Sequence, residues 1–343
     1  MNSDLGADAG KPIVAVLLNE SVRAKLMPDE TLRELATFAR VRTLTDAEIT
    51  NDTWRPVLDG ARAVITGWHS PGLDMDLLEK HPEIAFAAHT GASIRLFLPY
   101  AGIETGRLRV SNSALHIAEA VAEFTIAQIM EFLRRTREQD AALRAGEPWW
   151  PARERFTGRL LGGQTVGLVG AGHTGRLVIR LLKPFGCRIL VADPYLNPDQ
   201  AADLGVEIQT LDDLMATCDI VSLHAPVLDE TRGMIGARQF SLLRDGAFLI
   251  NTARSAIVDD AALLDHLRTG RTTVALDVFD AEPLPDDSPY RSEPGTVLSP
   301  HTAGHTHESH VRQGRTAVDE VRRFLAGEPL RHEVAREMLK TMA

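Results

Sequence analysis

The sequence predicts an α/β protein made of two doubly wound parallel sheets, each in a domain of its own. Short apolar runs alternate with helical patterns twice, over the first hundred residues and again over 164–301. This alternation is typical of parallel sheets flanked by helices. In the second stretch the runs are rich in Val, Ile and Leu, as expected of strands covered on both faces. The length of 343 residues also favours two domains over one.

In the first stretch, the pattern of 30–39 predicts a helix with apolar residues on one face. A second helix is predicted over 75–82, where a proline ends it. Strands are predicted over 12–18, 62–68 and 84–93.

A long alanine-rich helical pattern runs from about 116 to 144, and Gly, Pro and aromatic residues break it at 146–158. The domain boundary could lie at the start of this helix or at the break, and we place it at the start. Strands of the second stretch are predicted over 165–170, 188–193, 219–225, 247–253, 273–279 and 296–301. A last helix, over 311–326, could return to the first domain. The predicted domains are therefore 1–112 with 306–343, and 113–305.

Composition excludes several classes of protein. The net charge is −10 without a long basic run, so a nucleic-acid partner is not expected. No apolar run approaches the roughly 20 residues of a membrane helix. Residues 1–10 lack the basic start and apolar core of a signal peptide, and we expect a disordered tail there. Cys187 and Cys218 lack metal or redox spacing. We interpret both as reduced core residues of a cytoplasmic protein.

A glycine-rich loop follows the first strand of the second stretch, and a helix follows the loop. It reads Gly170, Ala171, Gly172, His173, Thr174, Gly175. This is the GxGxxG pattern in the strand–helix context that binds dinucleotides, with the diphosphate at the helix N-terminus. Asp193 ends the next strand, where a carboxylate accepts hydrogen bonds from ribose hydroxyls and repels a 2′-phosphate. Asp193 therefore favours NAD over NADP as the cofactor.

Further segments match signatures of a known family in the same order along the chain. They are AEAVAEFT (118–125), the nucleotide segment 163–195, LHAPVLDETRGMIG (223–236), LINTARSAIVDDAAL (249–263), ALDVFDAEPLP (275–285) and SPHTAG (299–304). In these segments the chain resembles the D-isomer-specific 2-hydroxyacid dehydrogenases, while its first third matches only loosely, mainly at HTGAS (89–93). The resemblance implies a flavodoxin-like substrate domain and a Rossmann NAD-binding domain with a cleft between them. It also implies a homodimer formed through the NAD-binding domains.

The resemblance implies three catalytic residues. Arg254 would bind the carboxylate and carbonyl of a 2-keto acid, His301 would exchange the proton, and Glu282 would pair with His301. The chemistry suits these residue types. A guanidinium binds a carboxylate through two parallel hydrogen bonds and polarises a carbonyl as charge develops. Histidine titrates near neutral pH, and a neighbouring carboxylate stabilises an imidazolium.

The resemblance also implies further contacts with the small-molecule substrate and with NAD. The cofactor residues beyond the glycine loop and Asp193 are His224, Ala225, Pro226, Thr231, Thr252, Ala253, Asp277, His301 and Gly304. Asp277 would lie at the nicotinamide carboxamide, although a strand-end cap is the alternative, and His224 could instead serve packing. Substrate contacts are expected from Arg254, Ala92, Ser93 and Trp68. Ser93, Arg95 and Ser255 depart from residues common in the family.

Three other functions compete with a D-2-hydroxyacid dehydrogenase. Formate oxidation on this fold usually has glutamine where Glu282 stands, whereas phosphite oxidation keeps a Glu–His pair. An NAD(H)-sensing corepressor could retain the same three residues. The four histidines at 301, 305, 307 and 310 could suggest a metal site. Their spacing is not that of two ligands on one helix face, and we expect no metal.

Overall fold

The computed structural model describes residues 10–340 and 342, so most of the expected disordered tail lies outside the described residues. The chain divides into two compact units, Met1–Ile117 with His305–Ala343, and Ala118–Gly304. The predicted boundaries, 112/113 and 305/306, lie a few residues from these. The first boundary falls within the first turns of a long helix that starts at Ala114.

The first unit is built on a five-stranded parallel sheet. Its strands are β1 Ile13–Val16, β2 Arg40–Thr43, β3 Ala61–Thr66, β4 Phe86–His89 and β5 Arg109–Asn112. The order β2-β1-β3-β4-β5 is that of flavodoxin-like doubly wound folds. Its helices are α1 Glu20–Leu26, α2 Asp29–Phe38, α3 Asp46–Thr50, α4 Met75–Lys80, α5 Tyr100–Glu104 and, near the C-terminus, α14 His307–Ala326. Separate apolar cores cover the two faces of this sheet.

The second unit is built on a seven-stranded parallel sheet. Its strands are β6 Thr165–Val169, β7 Arg188–Ala192, β8 Glu207–Ile208, β9 Ile220–Leu223, β10 Phe248–Asn251, β11 Thr273–Leu276 and β12 Thr296–Leu298. Counted from β6, the order is the 3-2-1-4-5-6 of the Rossmann fold with one further strand. The remaining helices are α6 Ala114–Arg134, α7 Thr136–Arg144, α8 Trp149–Arg155, α9 His173–Leu182, α10 Pro198–Leu204, α11 Leu211–Thr217, α12 Ala237–Leu242 and α13 Asp260–Leu267. The predicted fold class, two doubly wound parallel sheets, is thus confirmed.

The long helix predicted over 116–144 is wrong as a single element. It is divided into α6 and α7 at Arg135, whose φ of 54° is left-handed. The Glu131 carboxylate accepts hydrogen bonds from the Arg137 amide and the Thr136 hydroxyl, and so caps the start of α7. This capping supplies acceptors for donors that have no intrahelical partner. The segment predicted to break the helix, 146–158, contains the short helix α8.

Three strands were missing from the prediction, β2, β5 and β8, because they are short and carry charged or polar residues. In β2, for example, Val41 and Thr43 are buried while the two arginines are only partly covered. The last helix begins at His307, four residues earlier than predicted. Cys218 lies in the core as expected, whereas Cys187 is only half-buried, so the prediction of two core cysteines was half wrong.

Over 10–340 and 342, none of the helices is long and apolar enough to cross a membrane.

Gly314 lets α14 lie directly against the end of α1. A Cβ atom built on Gly314 would stand 1.7 Å from the carbonyl oxygen of Leu26, which is backbone and cannot rotate away. We therefore expect Gly314→Ala to destabilise the first unit by about 1–3 kcal/mol, measured by urea unfolding. The matched control is Gly72→Ala. There the nearest atom lies at 3.4 Å, an ordinary contact, so the free energy of unfolding should stay within about 0.5 kcal/mol of wild type. Equal stability of the two variants would contradict this account of the packing.

Candidate active site

The glycine loop between β6 and α9 adopts the backbone that its three glycines make possible. Gly170 has a φ of 98°, which is strained for any residue with a side chain. A Cβ on Gly175 would lie 2.3 Å from the Gly170 carbonyl oxygen, so the third glycine brings helix and strand together. Gly172 is different, because no atom lies within 4 Å of the place of its Cβ. The open space at Gly172 borders the start of α9, where the first amides have no intrahelical acceptor.

Asp193 lies beside this loop, just after β7. Its Oδ2 accepts a hydrogen bond from the Ala171 amide at 2.7 Å, and its Oδ1 accepts one from the Tyr195 amide at 2.8 Å. Each carboxylate oxygen can accept a second hydrogen bond. The predicted ribose ligand is therefore held against the loop by two backbone contacts and keeps acceptor capacity.

The three predicted catalytic residues follow three neighbouring strands. Arg254 comes after β10, Glu282 after β11 and His301 after β12, and these strands are adjacent and parallel. Their carboxyl ends therefore meet at one edge of the sheet. Nδ1 of His301 lies 2.7 Å from Oε2 of Glu282, within hydrogen-bond distance. Oε1 of Glu282 accepts a hydrogen bond from the Phe279 amide at 2.9 Å, which fixes the carboxylate on its own loop.

Arg254 is half-buried and lies within electrostatic reach of Glu282. Burial lowers the pKa of Arg254, and the negative charge of Glu282 opposes part of this effect. A guanidinium stays charged even so. Its Nη1 donates to the Ala253 carbonyl at 2.7 Å. The buried amide of Asn251 holds the loop, since Nδ2 donates to the Arg254 carbonyl at 3.0 Å and Oδ1 accepts from the Ala253 amide at 3.1 Å.

Sequence reasoning did not identify Asn251 as part of the site. The only available signal was its place at the end of a buried strand, next to the predicted residues.

His301 has a left-handed backbone, with a φ of 51°. For a residue with a Cβ this conformation costs on the order of 1–3 kcal/mol, and it persists only where the surroundings impose it. The carboxylate of Asp277, which is buried, accepts hydrogen bonds from the segment that contains His301. Asp277, predicted to contact nicotinamide, is therefore engaged in the strand-end cap that the sequence left as the alternative.

The segment after β9 holds four more of the predicted cofactor residues. Nε2 of His224 lies 2.9 Å from the Ser222 hydroxyl, and burial lowers the pKa of His224 to about 4. The hydroxyl of Thr231 donates to the Pro226 carbonyl at 2.6 Å and closes the loop between them. Backbone atoms of His224 and Ala225 lie 2.9 Å from the place of a Gly170 Cβ, so this segment abuts the glycine loop.

Thr252 and Gly304 complete the predicted cofactor set. The hydroxyl of Thr252 is buried and has no hydrogen-bond partner among the described residues, so it could serve a ligand. Gly304 is the last residue of the second unit and follows buried Ala303.

In the first unit, the predicted substrate turn follows β4. The Asn112 side chain donates to the Ala92 carbonyl at 2.8 Å, and the Gly91 carbonyl accepts from the Ser113 amide at 3.1 Å. Buried His89 precedes the turn, and desolvation lowers its pKa to about 4, so its ring is neutral at neutral pH. Trp68 is 43% exposed and meets the edge of the Phe97 ring. The substrate roles of Trp68, Ala92 and Ser93 stay predictions.

The histidines beyond His301 lie at the start of α14. His305 and His310 meet edge to face with ring centroids 4.9 Å apart, and His307 is the first residue of the helix. Burial and the neighbouring histidines and Lys25 lower the pKa of His310. Within the described part of the chain, no group of three or more His, Cys, Asp or Glu side chains could hold a metal ion.

The second unit fits a dinucleotide by its own geometry. It combines open space at Gly172, amides without an intrahelical acceptor at the start of α9, an anchored carboxylate in Asp193 and, at Thr252, a buried hydroxyl without a hydrogen-bond partner among residues 10–340 and 342. The fold and this loop define a protein with a Rossmann NAD-binding domain. Residues 126–303 match the family model described as D-isomer specific 2-hydroxyacid dehydrogenase, NAD binding domain. The chain belongs to the D-isomer-specific 2-hydroxyacid dehydrogenase family.

Named relatives agree with this membership. The chain is 36% identical over 257 residues to a D-3-phosphoglycerate dehydrogenase of Mycobacterium leprae, covering 75% of this chain and 48% of the relative. It is 35% identical over 274 residues to a glyoxylate reductase of Aeropyrum pernix, covering 78% and 81%. A solved phosphoglycerate oxidoreductase from Rhizobium etli superposes with a TM-score of 0.76 at 27% identity, over 94% of this chain and 97% of the other. The chain thus spans about half the length of the D-3-phosphoglycerate dehydrogenase that it matches.

Substitutions at two glycines of the loop should affect different quantities, NADH binding for one and thermal stability for the other. Gly172→Ala should weaken NADH binding by about tenfold, because its methyl group projects into the space that a diphosphate would approach, while the Tm stays within about 1 °C of wild type. Gly175→Ala should lower the Tm by several degrees, because its methyl group meets the Gly170 carbonyl. Fluorescence titration with NADH and thermal unfolding measure the two quantities. A Gly172→Ala protein that binds NADH like wild type would contradict the placement.

Proposed function

We propose that the chain is an NAD-dependent dehydrogenase that interconverts a D-2-hydroxy acid and its 2-keto acid. The observation that carries this proposal is the 2.7 Å contact between His301 and Glu282, beside Arg254 at one edge of the nucleotide-binding sheet. A histidine held by a carboxylate can act as an acid–base group, and a half-buried guanidinium beside that carboxylate can bind an anionic substrate. Family membership supports the same reaction class.

The cofactor would be held by the glycine loop at its diphosphate and by Asp193 at its adenosine ribose. Two backbone amides hold the Asp193 carboxylate beside the loop, where it would accept hydrogen bonds from the ribose hydroxyls and repel a 2′-phosphate, so we propose NAD rather than NADP. Thr252 would offer its buried hydroxyl to the same ligand. When bound, NADH supplies the hydride that reduces the carbonyl carbon.

The residues of the chain supply the proton and the charge. Glu282 binds Nδ1 of His301, so we assign the exchanged proton to Nε2, the opposite ring nitrogen. In reduction, imidazolium donates this proton to the carbonyl oxygen as the carbon accepts hydride. In oxidation, the neutral ring accepts it from the hydroxyl. Arg254 pairs with the substrate carboxylate and draws the developing negative charge on the oxygen.

The names of the relatives suggest which substrates to try first. We propose glyoxylate for reduction and D-3-phosphoglycerate for oxidation, together with a panel of other 2-keto acids of increasing size. The test follows NADH absorbance with the full chain. Turnover of at least one 2-keto acid supports the proposal. Tight NADH binding without turnover of any would favour the NAD(H)-sensing alternative. Oxidation of phosphite or formate alone would move the chain to that reaction instead.

Removing the acid–base group or the guanidinium should slow turnover by orders of magnitude while sparing cofactor binding. His301→Ala and Arg254→Ala should each lower kcat/KM by about 10²–10⁴-fold, since each removes a group that acts on the reacting carbonyl. The dissociation constant of NADH should change by less than about threefold. Steady-state kinetics and NADH fluorescence measure both. Turnover like that of wild type in either variant would refute the assignment.

Glu282→Gln should move the pH profile of reduction. Reduction needs the protonated ring of His301. Glutamine keeps one acceptor oxygen where Glu282 uses two, and it removes the negative charge that stabilises an imidazolium. The proton is then lost at a lower pH, so the alkaline limb of kcat/KM should shift to lower pH by about one unit. Rates measured from pH 5 to 9 decide this. An unmoved limb would count against the pairing.

We also propose a homodimer formed through the second unit. Trp149 and Trp150 on α8 are each 64% exposed, and Leu160, ten residues further along the chain, is 78% exposed, so this part of the second unit offers large apolar side chains to a partner. Light scattering should give twice the 37.5 kDa of one chain. The double variant Trp149→Glu/Trp150→Glu should give a single chain mass. Leu96→Glu, at a residue 82% exposed in the first unit, should remain dimeric. A monomeric wild type would refute the proposal.

A further inference from the structure

The segment after β12 is fastened to the end of β11 by one buried carboxylate. Oδ1 of Asp277 accepts hydrogen bonds from the Ser299 hydroxyl at 2.6 Å and from the Thr302 amide at 2.8 Å. Oδ2 accepts one from the Ala303 amide at 2.9 Å. Asp277 is 2% exposed. Its partners lie on both sides of His301, so the carboxylate holds the segment before and after the proposed proton donor.

This arrangement imposes the unusual backbone of His301. The His301 amide donates to the Ser299 carbonyl at 3.0 Å, which closes a tight turn, and φ at His301 is 51°. A residue with a Cβ adopts this conformation only when its neighbours fix the chain. Ser299 is fixed twice, because its amide donates to the Leu276 carbonyl at 3.0 Å and its hydroxyl donates to Asp277. A donor hydroxyl next to an ionised carboxylate forms a short, strong hydrogen bond.

Two carboxylates therefore act together to position the imidazole ring of His301. Glu282 is tied to its own loop through the Phe279 amide and binds the ring. Asp277 is tied to the neighbouring segment and fixes the backbone from which the ring projects. The 2.7 Å contact between ring and carboxylate requires both loops to be held. Arg254 also lies within electrostatic reach of Glu282.

We propose that Ser299, through Asp277, is a positioning residue for His301. The proposal rests on the proposed function only for its kinetic readout. The geometry concerns the His301–Glu282 contact, which can be followed without turnover.

The first test compares Ser299→Ala with Ser299→Thr. The alanine variant loses the hydroxyl bond to Asp277, so His301 should shift relative to Glu282 and hold its proton less well. We expect kcat of reduction to fall about tenfold or more, with KM and the NADH dissociation constant within about threefold. The alkaline limb of the pH profile should move to lower pH. Ser299→Thr keeps the hydroxyl and should restore both quantities. Ser292→Ala, whose hydroxyl bonds only the Pro289 carbonyl, should match wild type.

The second test uses Asp277→Asn and the ring signal of His301. Asparagine has one acceptor oxygen, so it cannot accept all three hydrogen bonds in the same geometry. The NMR titration of the His301 ring should move to lower pH in both Asp277→Asn and Ser299→Ala. The double variant should show no larger shift than the single ones, as expected of residues in one network. Weakened NADH binding in Asp277→Asn with an unmoved His301 titration would make Asp277 a cofactor contact and overturn the proposal.

The two proposals fail in distinguishable ways. A folded Ser299→Ala protein whose His301 titration equals that of wild type overturns the positioning role, whatever the turnover. A wild type that reduces no 2-keto acid, but whose His301 titration shifts in Ser299→Ala, overturns the proposed function and supports the positioning role. Loss of activity with an unmoved titration and a lowered Tm means that Ser299 acts on stability alone, which also overturns the proposal.

Discussion

Parallel pairing of three adjacent strands is the constraint on which the candidate site depends. β10, β11 and β12 lie side by side in one direction, so the loops after them leave the sheet at the same edge. Arg254, Glu282 and His301 are 47 positions apart from first to last in sequence (254 to 301) and become neighbours for this reason alone. An antiparallel strand at β11 would send Glu282 to the opposite edge. The topology of the sheet therefore decides which strand-end residues can lie close together.

Polar side chains at the strand ends convert this proximity into defined geometry. Asn251 fixes the loop of Arg254, the Phe279 amide fixes Glu282, and Asp277 fixes the segment of His301 through the Thr302 and Ala303 amides. Each of these contacts satisfies backbone groups that leave the regular pairing of the sheet, so the same hydrogen bonds serve folding and orientation. Desolvation lowers the pKa of two other imidazoles that lie near strand ends. His89 and His224 have pKa values lowered to about 4 and stay neutral at neutral pH, which leaves them unable to act as cationic acids there.

Much of the fold could be predicted from the sequence, because the strands of the second unit are continuous apolar runs and its glycine loop has a distinctive local pattern. β2 and β8 could not, since their short, charged sequences pair only because a neighbouring strand is already in place. The break at Arg135 depends on capping by Glu131, and helical periodicity does not register such a contact. The site residues followed from motifs, but their connections did not. The hydrogen bond from Ser299 to Asp277 joins the segments that follow β12 and β11. The two residues are 22 positions apart in sequence, and no local pattern encodes their contact.

The left-handed backbone of His301 has a consequence for how this sequence can change. Glycine and asparagine tolerate that conformation better than histidine does, so at this position the amino acid best suited to the backbone is not the one suited to proton transfer. Conformational stability and the proposed proton transfer therefore oppose each other at a single residue. Selection for thermal resistance alone would favour glycine or asparagine there, whereas the proposed reaction requires the histidine.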